Sequence, residues 1–241
     1  MITLRRADER RFERHGKQEV WRTFDASAAA DPLAHGFGAL EGLHELRLQP
    51  GAKQARRPAA AHEGEIVTYV REGALAYEDS LGRSGVIQAG EFQRLTAGRG
   101  LRHHEANASR SDSAQVLQLC LRPGAGAATR VGGHEHRRFS AAERRGELCV
   151  VASPDARRGS LRLDLNAVLC SALLDRGQHV AHELVPGRGA WLHLVAGEVT
   201  LGDTVLTAGD GAGVTGERAV SLTARAASEI LLLDVDEPRG F

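Results

Sequence analysis

Two side chains in this 241-residue sequence have the types and spacing for metal chemistry. His103 and Glu105 stand two apart in Gly98-Arg99-Gly100-Leu101-Arg102-His103-His104-Glu105-Ala106-Asn107. On a β-strand that spacing puts both side chains on one face. An imidazole and a carboxylate aimed into a barrel are half of a transition-metal site, since an open facial set takes two His and one carboxylate. His104, between them, is expected to face outward. No P-loop, Gly-x-Ser-x-Gly elbow or zinc Cys pair competes with this pair for the chemistry.

The elements that must position the pair read as strands. Glu65–Val70 runs to the turn Arg71-Glu72-Gly73, Ala74–Asp79 follows, and Val86–Leu95 comes after another Gly-containing turn. Short β-rich runs closed by Gly turns predict an all-β barrel or sandwich. Leu43–Leu48 and Ala114–Leu121 extend the pattern. The charged N-terminus is expected to be exposed after a short edge strand at Ile2–Leu4. His15–Leu40 reads as irregular chain, with Trp21 and Phe24 as apolar anchors. In the second half, strands are expected at Leu148–Ala152, Leu161–Leu165, Val168–Leu174, Gln178–Val185, Ala190–Val195, Glu198–Leu201, Val220–Thr223 and Glu229–Val235. Helix signals are weak throughout.

The two halves echo one another. Val70-Arg71-Glu72-Gly73-Ala74-Leu75 matches Val195-Ala196-Gly197-Glu198-Val199-Thr200-Leu201, and Ala89-Gly90-Glu91 matches Ala208-Gly209-Asp210. Self-similarity at a fixed offset marks a repeated unit. Pro123–Gly133, rich in Gly, Ala and Pro, reads as the linker, which divides the chain into residues 1–132 and 133–241.

Charge balances at 31 basic against 31 acidic residues, so there is no electrostatic footprint for nucleic acid or an anionic membrane. No apolar run is long enough to span a membrane, and the N-terminus lacks a signal-peptide core. A cytoplasmic monomer is expected. Cys120, Cys149 and Cys170 are odd in number and lie in apolar runs, which makes them core residues in a reducing compartment rather than disulfide partners or ligands.

Several stretches resemble the pirin family of the cupin superfamily: Ile2-Thr3-Leu4-Arg5-Arg6-Ala7, Gly36-Phe37-Gly38-Ala39-Leu40, Glu65–Val70, Gly98–His103, and Val151–Ser160. The resemblance implies a bicupin, two tandem β-barrels with a metal site in the N-terminal one. It also implies similarity to bacterial quercetin 2,3-dioxygenases, which open a flavonol ring with oxygen at a divalent metal, Fe(II) by resemblance to iron-containing pirins. The family's metal is held by three His and one Glu. One His and the Glu match His103 and Glu105. The other two ligands, a His-x-His pair, fall on Ala59 and Ala61 when aligned without gaps on Glu65. A methyl group donates no lone pair. His62 is one residue away and turns inward only if a bulge shifts the register. With His62 the site could hold a metal; without it, binding is weak or absent.

Glu105 buried in such a cavity needs a partner: protonated His103, an arginine, or its own proton. Arg56 and Arg57 are candidates, and could instead favour an anionic molecule. In the second barrel His179, His182, Glu183 and His193 do not complete a ligand set and are expected to be satisfied or exposed. His134-Glu135-His136 has ligand-like spacing but is expected at the surface of the linker. Two main readings follow: a pirin-like protein with a degenerate site that binds a small molecule or a protein partner, or a metal-dependent dioxygenase working at a rearranged site around His103 and Glu105. A third, regulation of transcription or of an enzyme through surface contacts, rests on the family alone.

Overall fold

The structure, a computed structural model, describes residues 1–28, 30–53, 64–97, 101–122 and 133–238. In the first half the strands are β1 (Ile2–Arg5), β2 (Arg11–His15), β3 (Gln18–Arg22), β4 (Leu40–Leu48), β5 (Gly64–Glu72), β6 (Ala74–Asp79), β7 (Ser84–Gln88), β8 (Glu91–Ala97), β9 (His103–Asn107) and β10 (Ala114–Leu121). Next come β11 (His134–Arg138), a single-turn helix α1 (Ala141–Arg144), β12 (Cys149–Ser153), β13 (Leu161–Arg162), β14 (Val168–Leu174), β15 (His179–Glu183) and β16 (Arg188–Ala196). The chain finishes with β17 (Glu198–Leu201), β18 (Thr204–Thr207), β19 (Gly211–Val214), β20 (Ala219–Ala224) and β21 (Ser228–Asp236). No helix among the described residues is long and apolar enough to cross a membrane.

These strands make two barrels, each a seven-stranded sheet facing a smaller one. In the N-terminal barrel the order β11-β8-β5-β10-β4-β3-β2 faces β7-β6-β9; in the C-terminal barrel β1-β19-β16-β21-β14-β12-β13 faces β15-β20-β17-β18. Alternation decides which residues go where. Val20, Leu46, Val70 and Val116 face inward and meet Leu75, Tyr77 and Ile87 from the smaller sheet. Leu192, Leu194, Leu232 and Val180 do the same in the second barrel. The opposite faces of the two large sheets are apolar too, and pack against each other: Val67, Tyr69, Leu117 and Leu119 from one, Trp191, Val195, Leu231 and Leu233 from the other. A large sheet buried on both faces loses the polar side of its alternation, which explains the near-continuous apolar runs of β10 and β21.

The repeat is real in the backbone. Gly73 and Gly197 lie at φ 74° and 87°, and Gly90 and Gly209 at 85° and 89°, so both pairs of equivalent turns use the left-handed conformation. A Cβ on Gly73 would meet the Ser113 carbonyl at 2.6 Å, and one on Gly197 would meet the Ala227 carbonyl.

The expected division after residue 132 is crossed in both directions. β1 pairs with β19 in the C-terminal barrel, where Leu4 joins the apolar core. β11 pairs with β8 in the N-terminal barrel. His15–Leu40, expected to be irregular, contains β3, and with β2 it forms a hairpin on the sheet edge. Trp21 is a strand residue packed at a tilt against Phe12 at 5.1 Å rather than a loop anchor; Phe24 does tie the loop down, against Trp191 at 4.9 Å.

In the C-terminal barrel a charge network ties β15, β16 and β21 together. His182 Nε2 lies 2.8 Å from Asp234 Oδ2, and Arg188 Nε donates to Asp234 Oδ1 at 2.7 Å. Burial raises the Asp234 pKa, but these hydrogen bonds and the Arg188 charge outweigh it and leave the carboxyl below its usual range. A carboxylate held low stabilises the fold above its unfolded pKa, and that contribution disappears as pH falls through the folded value. Asp234→Asn is therefore expected to cost about 1–3 kcal/mol at pH 7 and clearly less at pH 2. Denaturant titrations at both pH values check this; an equal cost at both would refute it.

Candidate metal and ligand site in the N-terminal barrel

One row of side chains crosses the inner face of the large N-terminal sheet. By register, Gln93 is opposite both His136 and Thr68, Thr68 is opposite Gln118, and Gln118 is opposite His44, which is itself opposite Arg22. Directly opposite partners share a face, so the barrel has a polar belt beside its apolar core. Thr68, Gln93 and Gln118 are buried. β9 looks across at this belt: in its pairing with β6, Glu105 stands opposite Tyr77 and His103 opposite Asp79.

His103 and Glu105 do come together. His103 Nε2 lies 3.1 Å from Glu105 Oε1. Gln118 Nε2 donates to the other carboxylate oxygen at 2.8 Å and also approaches Thr68 Oγ1 at 3.4 Å. The partner that buried Glu105 requires is thus a neutral amide as well as His103. Gln118 is a residue sequence reasoning missed; its place in an alternating strand gives only its face, and the contact depends on how the two sheets close. His103 Nδ1 is buried without a partner.

This pair fits a metal ion. Two donors each about 2.1 Å from one cation, at a right angle, stand about 3 Å apart, close to the observed separation. A carboxylate fixed through its second oxygen is the usual support of a metal-binding carboxylate. Ala59, Ala61, His62, Arg56 and Arg57 lie outside the described residues. Among the described residues, no group of three or more His, Cys, Asp or Glu side chains is arranged to hold a metal.

His104 pairs opposite Glu78 on the outer face of β9 and lines an open groove there with Lys53 and Val86, so it points away from the belt. His134, expected at the surface of a linker, is half-buried in β11: its ring packs at a tilt against Tyr77 at 4.6 Å, and Tyr77 stacks on His103 at 6.1 Å. His136 is exposed as expected. In the second barrel His179 is exposed and bonded to Thr223, and His182 is satisfied by Asp234. His193 corrects the expectation for that barrel. It is 0% exposed at the seam between the barrels, and neither ring nitrogen has a partner. None of the three cysteines forms a disulfide; Cys120 and Cys170 are buried and Cys149 half-buried.

Two tandem β-barrels, with a His/Glu pair facing a polar belt in the first, define a bicupin. The chain belongs to the pirin family: a family model for pirin matches residues 7–121, and one described as the quercetinase C-terminal cupin domain matches residues 150–235. It is 34% identical over 235 residues to the quercetin 2,3-dioxygenase of Escherichia coli (strain K12), covering 98% of this chain and 99% of the relative. A pirin-like protein of Caulobacter vibrioides is 30% identical over 224 residues, 91% of this chain and 93% of the relative. The solved structure of YhhW from Escherichia coli superposes with a TM-score of 0.91 at 33% identity over the whole of both chains. The structure of that bacterial pirin in complex with nickel(II) superposes with a TM-score of 0.88 at 33% identity, over 99% of this chain and 100% of that one.

Proposed function

We infer that this chain is a pirin-family binding protein whose N-terminal barrel takes a small molecule beside a cation site reduced to His103 and Glu105. The observation that supports this is the pair itself, 3.1 Å apart, set against Ala59 and Ala61 at the positions where the family resemblance calls for imidazoles. Loss of a residue that merely supports a ligand already costs about 10–100-fold in metal affinity, and loss of two ligands costs more. A divalent cation, when held there, supplies Lewis-acid polarisation of an oxygen on the bound molecule. Without it, Glu105 still offers a fixed carboxylate oxygen to a hydroxyl hydrogen, with Gln118 holding the other oxygen still.

Elemental analysis of protein purified without a chelating tag, before and after loading with Ni(II) or Fe(II) in the absence of oxygen, tests this reading. Sub-stoichiometric metal that is lost on dialysis is expected. Restoring both imidazoles with Ala59→His and Ala61→His is expected to raise metal affinity about 100-fold or more, and Glu105→Ala to abolish it. One tightly held metal per wild-type chain would overturn the reduced-site reading.

That outcome would favour the second reading, a metal-dependent oxygenase of the quercetin 2,3-dioxygenase type with His62 completing the site. The similarity to the named dioxygenase over nearly the whole chain supports it. Oxygen uptake with quercetin by the metal-loaded protein, absent in His103→Ala, is its test.

A further inference from the structure

One buried group on the polar belt is left over. Gln93 is 1% exposed, and its Oε1 has no hydrogen-bond partner. Its Nε2 is hydrogen-bonded to His134 Nε2. An amide nitrogen can only donate, so His134 Nε2 accepts and the imidazole proton sits on Nδ1. Burial first, then the neighbouring His136, Arg83 and His103, push the His134 pKa down to about 4, so the ring is neutral around pH 7.

The ring is also mechanically held. It packs at a tilt against Tyr77, and Tyr77 lies over Gly85, where a Cβ would meet the phenol oxygen at 2.8 Å. Over 90% of buried polar groups are satisfied, and an unmet one costs about 1–3 kcal/mol. The register places Gln93 on the same face as Thr68 and Gln118, whose amide reaches Glu105.

We propose that His134 fixes Gln93 as a hydrogen-bond acceptor inside the N-terminal barrel, selecting small molecules that present hydroxyl or amine hydrogens and rejecting anions. This rests on the reading that the barrel holds a small molecule. One strand, β5, lies between Gln118 and Gln93, which puts them about 10 Å apart at the backbone, and Gln93 and the Glu105 held by Gln118 each bring an acceptor to the inner side of the barrel. A carboxylate or phosphate there would face acceptors without hydrogens to give them. Arg22, at the far end of the row, is tied to His44 at 3.1 Å and to Glu13 at 3.4 Å.

Long-range 1H–15N correlation on the full chain near pH 7.5 reads the tautomer directly, with His134 assigned by its loss in His134→Phe. A protonated Nδ1 and bare Nε2 are expected; a proton on Nε2 overturns the proposal. In calorimetric titrations with quercetin as the donor-rich probe and benzoate as the anionic one, wild type is expected to bind quercetin and not benzoate. His134→Phe, which keeps a ring against Tyr77, and Gln93→Leu are each expected to weaken quercetin about tenfold or more, with metal content unchanged. Unchanged affinity in both variants, or tighter binding of benzoate, overturns the selectivity. If wild type binds neither probe, the small-molecule reading falls, while the tautomer still decides the role of His134.

Discussion

Arg144→Ala is expected to lower stability by about 3–5 kcal/mol, the cost of stranding a charge when one member of a buried ion pair is removed. Arg144 comes from the single turn of α1 and reaches into the seam between the barrels. Its Nη1 donates to Tyr69 at 3.0 Å, Ser171 at 3.1 Å and Glu229 at 3.1 Å. Tyr69 donates to the same Glu229 oxygen, and Arg71 Nε reaches the other at 3.3 Å. Burial, then the Glu229 charge, push the Tyr69 phenol well above its ordinary pKa, so it remains a donor at every physiological pH. Without Arg144, the buried Glu229 carboxylate keeps Tyr69 as a donor and, as counter-charge, the more distant Arg71.

The double change Arg144→Met with Glu229→Leu is expected to recover most of the loss, because a buried pair replaced by apolar groups of similar size is often neutral. Denaturant midpoints at unchanged slope measure both. A midpoint for Arg144→Ala within about 0.5 kcal/mol of wild type would mean the cluster contributes nothing. Because it ties β5 of one barrel to β14 and β21 of the other, its loss is expected to loosen the seam before either barrel core.

The second large effect comes from acid. His193 lies at the same seam; burial foremost, and next the opposing pulls of Glu45 (up) and Arg10 (down) with Asp210 (up), leave its pKa lowered to about 4. In the unfolded chain the imidazole has its ordinary value near 6.5. Between those values the unfolded state holds a proton that the folded state refuses, so stability falls as pH drops from 6.5 towards 4. The gap corresponds to about 3 kcal/mol lost by pH 4.

His134 is shifted in the same direction and adds to the slope, so the measurement must isolate His193. His193→Leu is expected to remove about half of the dependence that the two histidines produce between pH 6.5 and 4. At neutral pH it should leave stability unchanged or raise it, since neither ring nitrogen has a hydrogen bond to lose. Parallel stability–pH curves for wild type and His193→Leu would defeat this account. Trp191 Nε1 and Thr23 Oγ1 are buried and without partners as well, so the seam carries more than one unmet polar group.

The sequence by itself determined the local features. Period-two alternation and glycine turns specify strands such as β5, β6 and β10, because a strand's facing depends only on its own neighbours in the chain. The same locality makes His103 and Glu105 legible as a pair, and Gly73 and Gly197 legible as equivalent corners of a repeat. Tertiary structure decided everything that depends on which strand lies next to which. Nothing within His134–Arg138 says that it pairs with β8, and nothing within Ile2–Arg5 says that it completes the other barrel. Those pairings arise when long-range sheet edges close, and they turn a surface-looking His134 into the residue that holds Gln93. Likewise, no local pattern separates His182, which finds Asp234, from His193, which finds no partner. Burial and hydrogen bonding of a polar side chain are set by the opposing sheet, which is distant in sequence and absent from any local window.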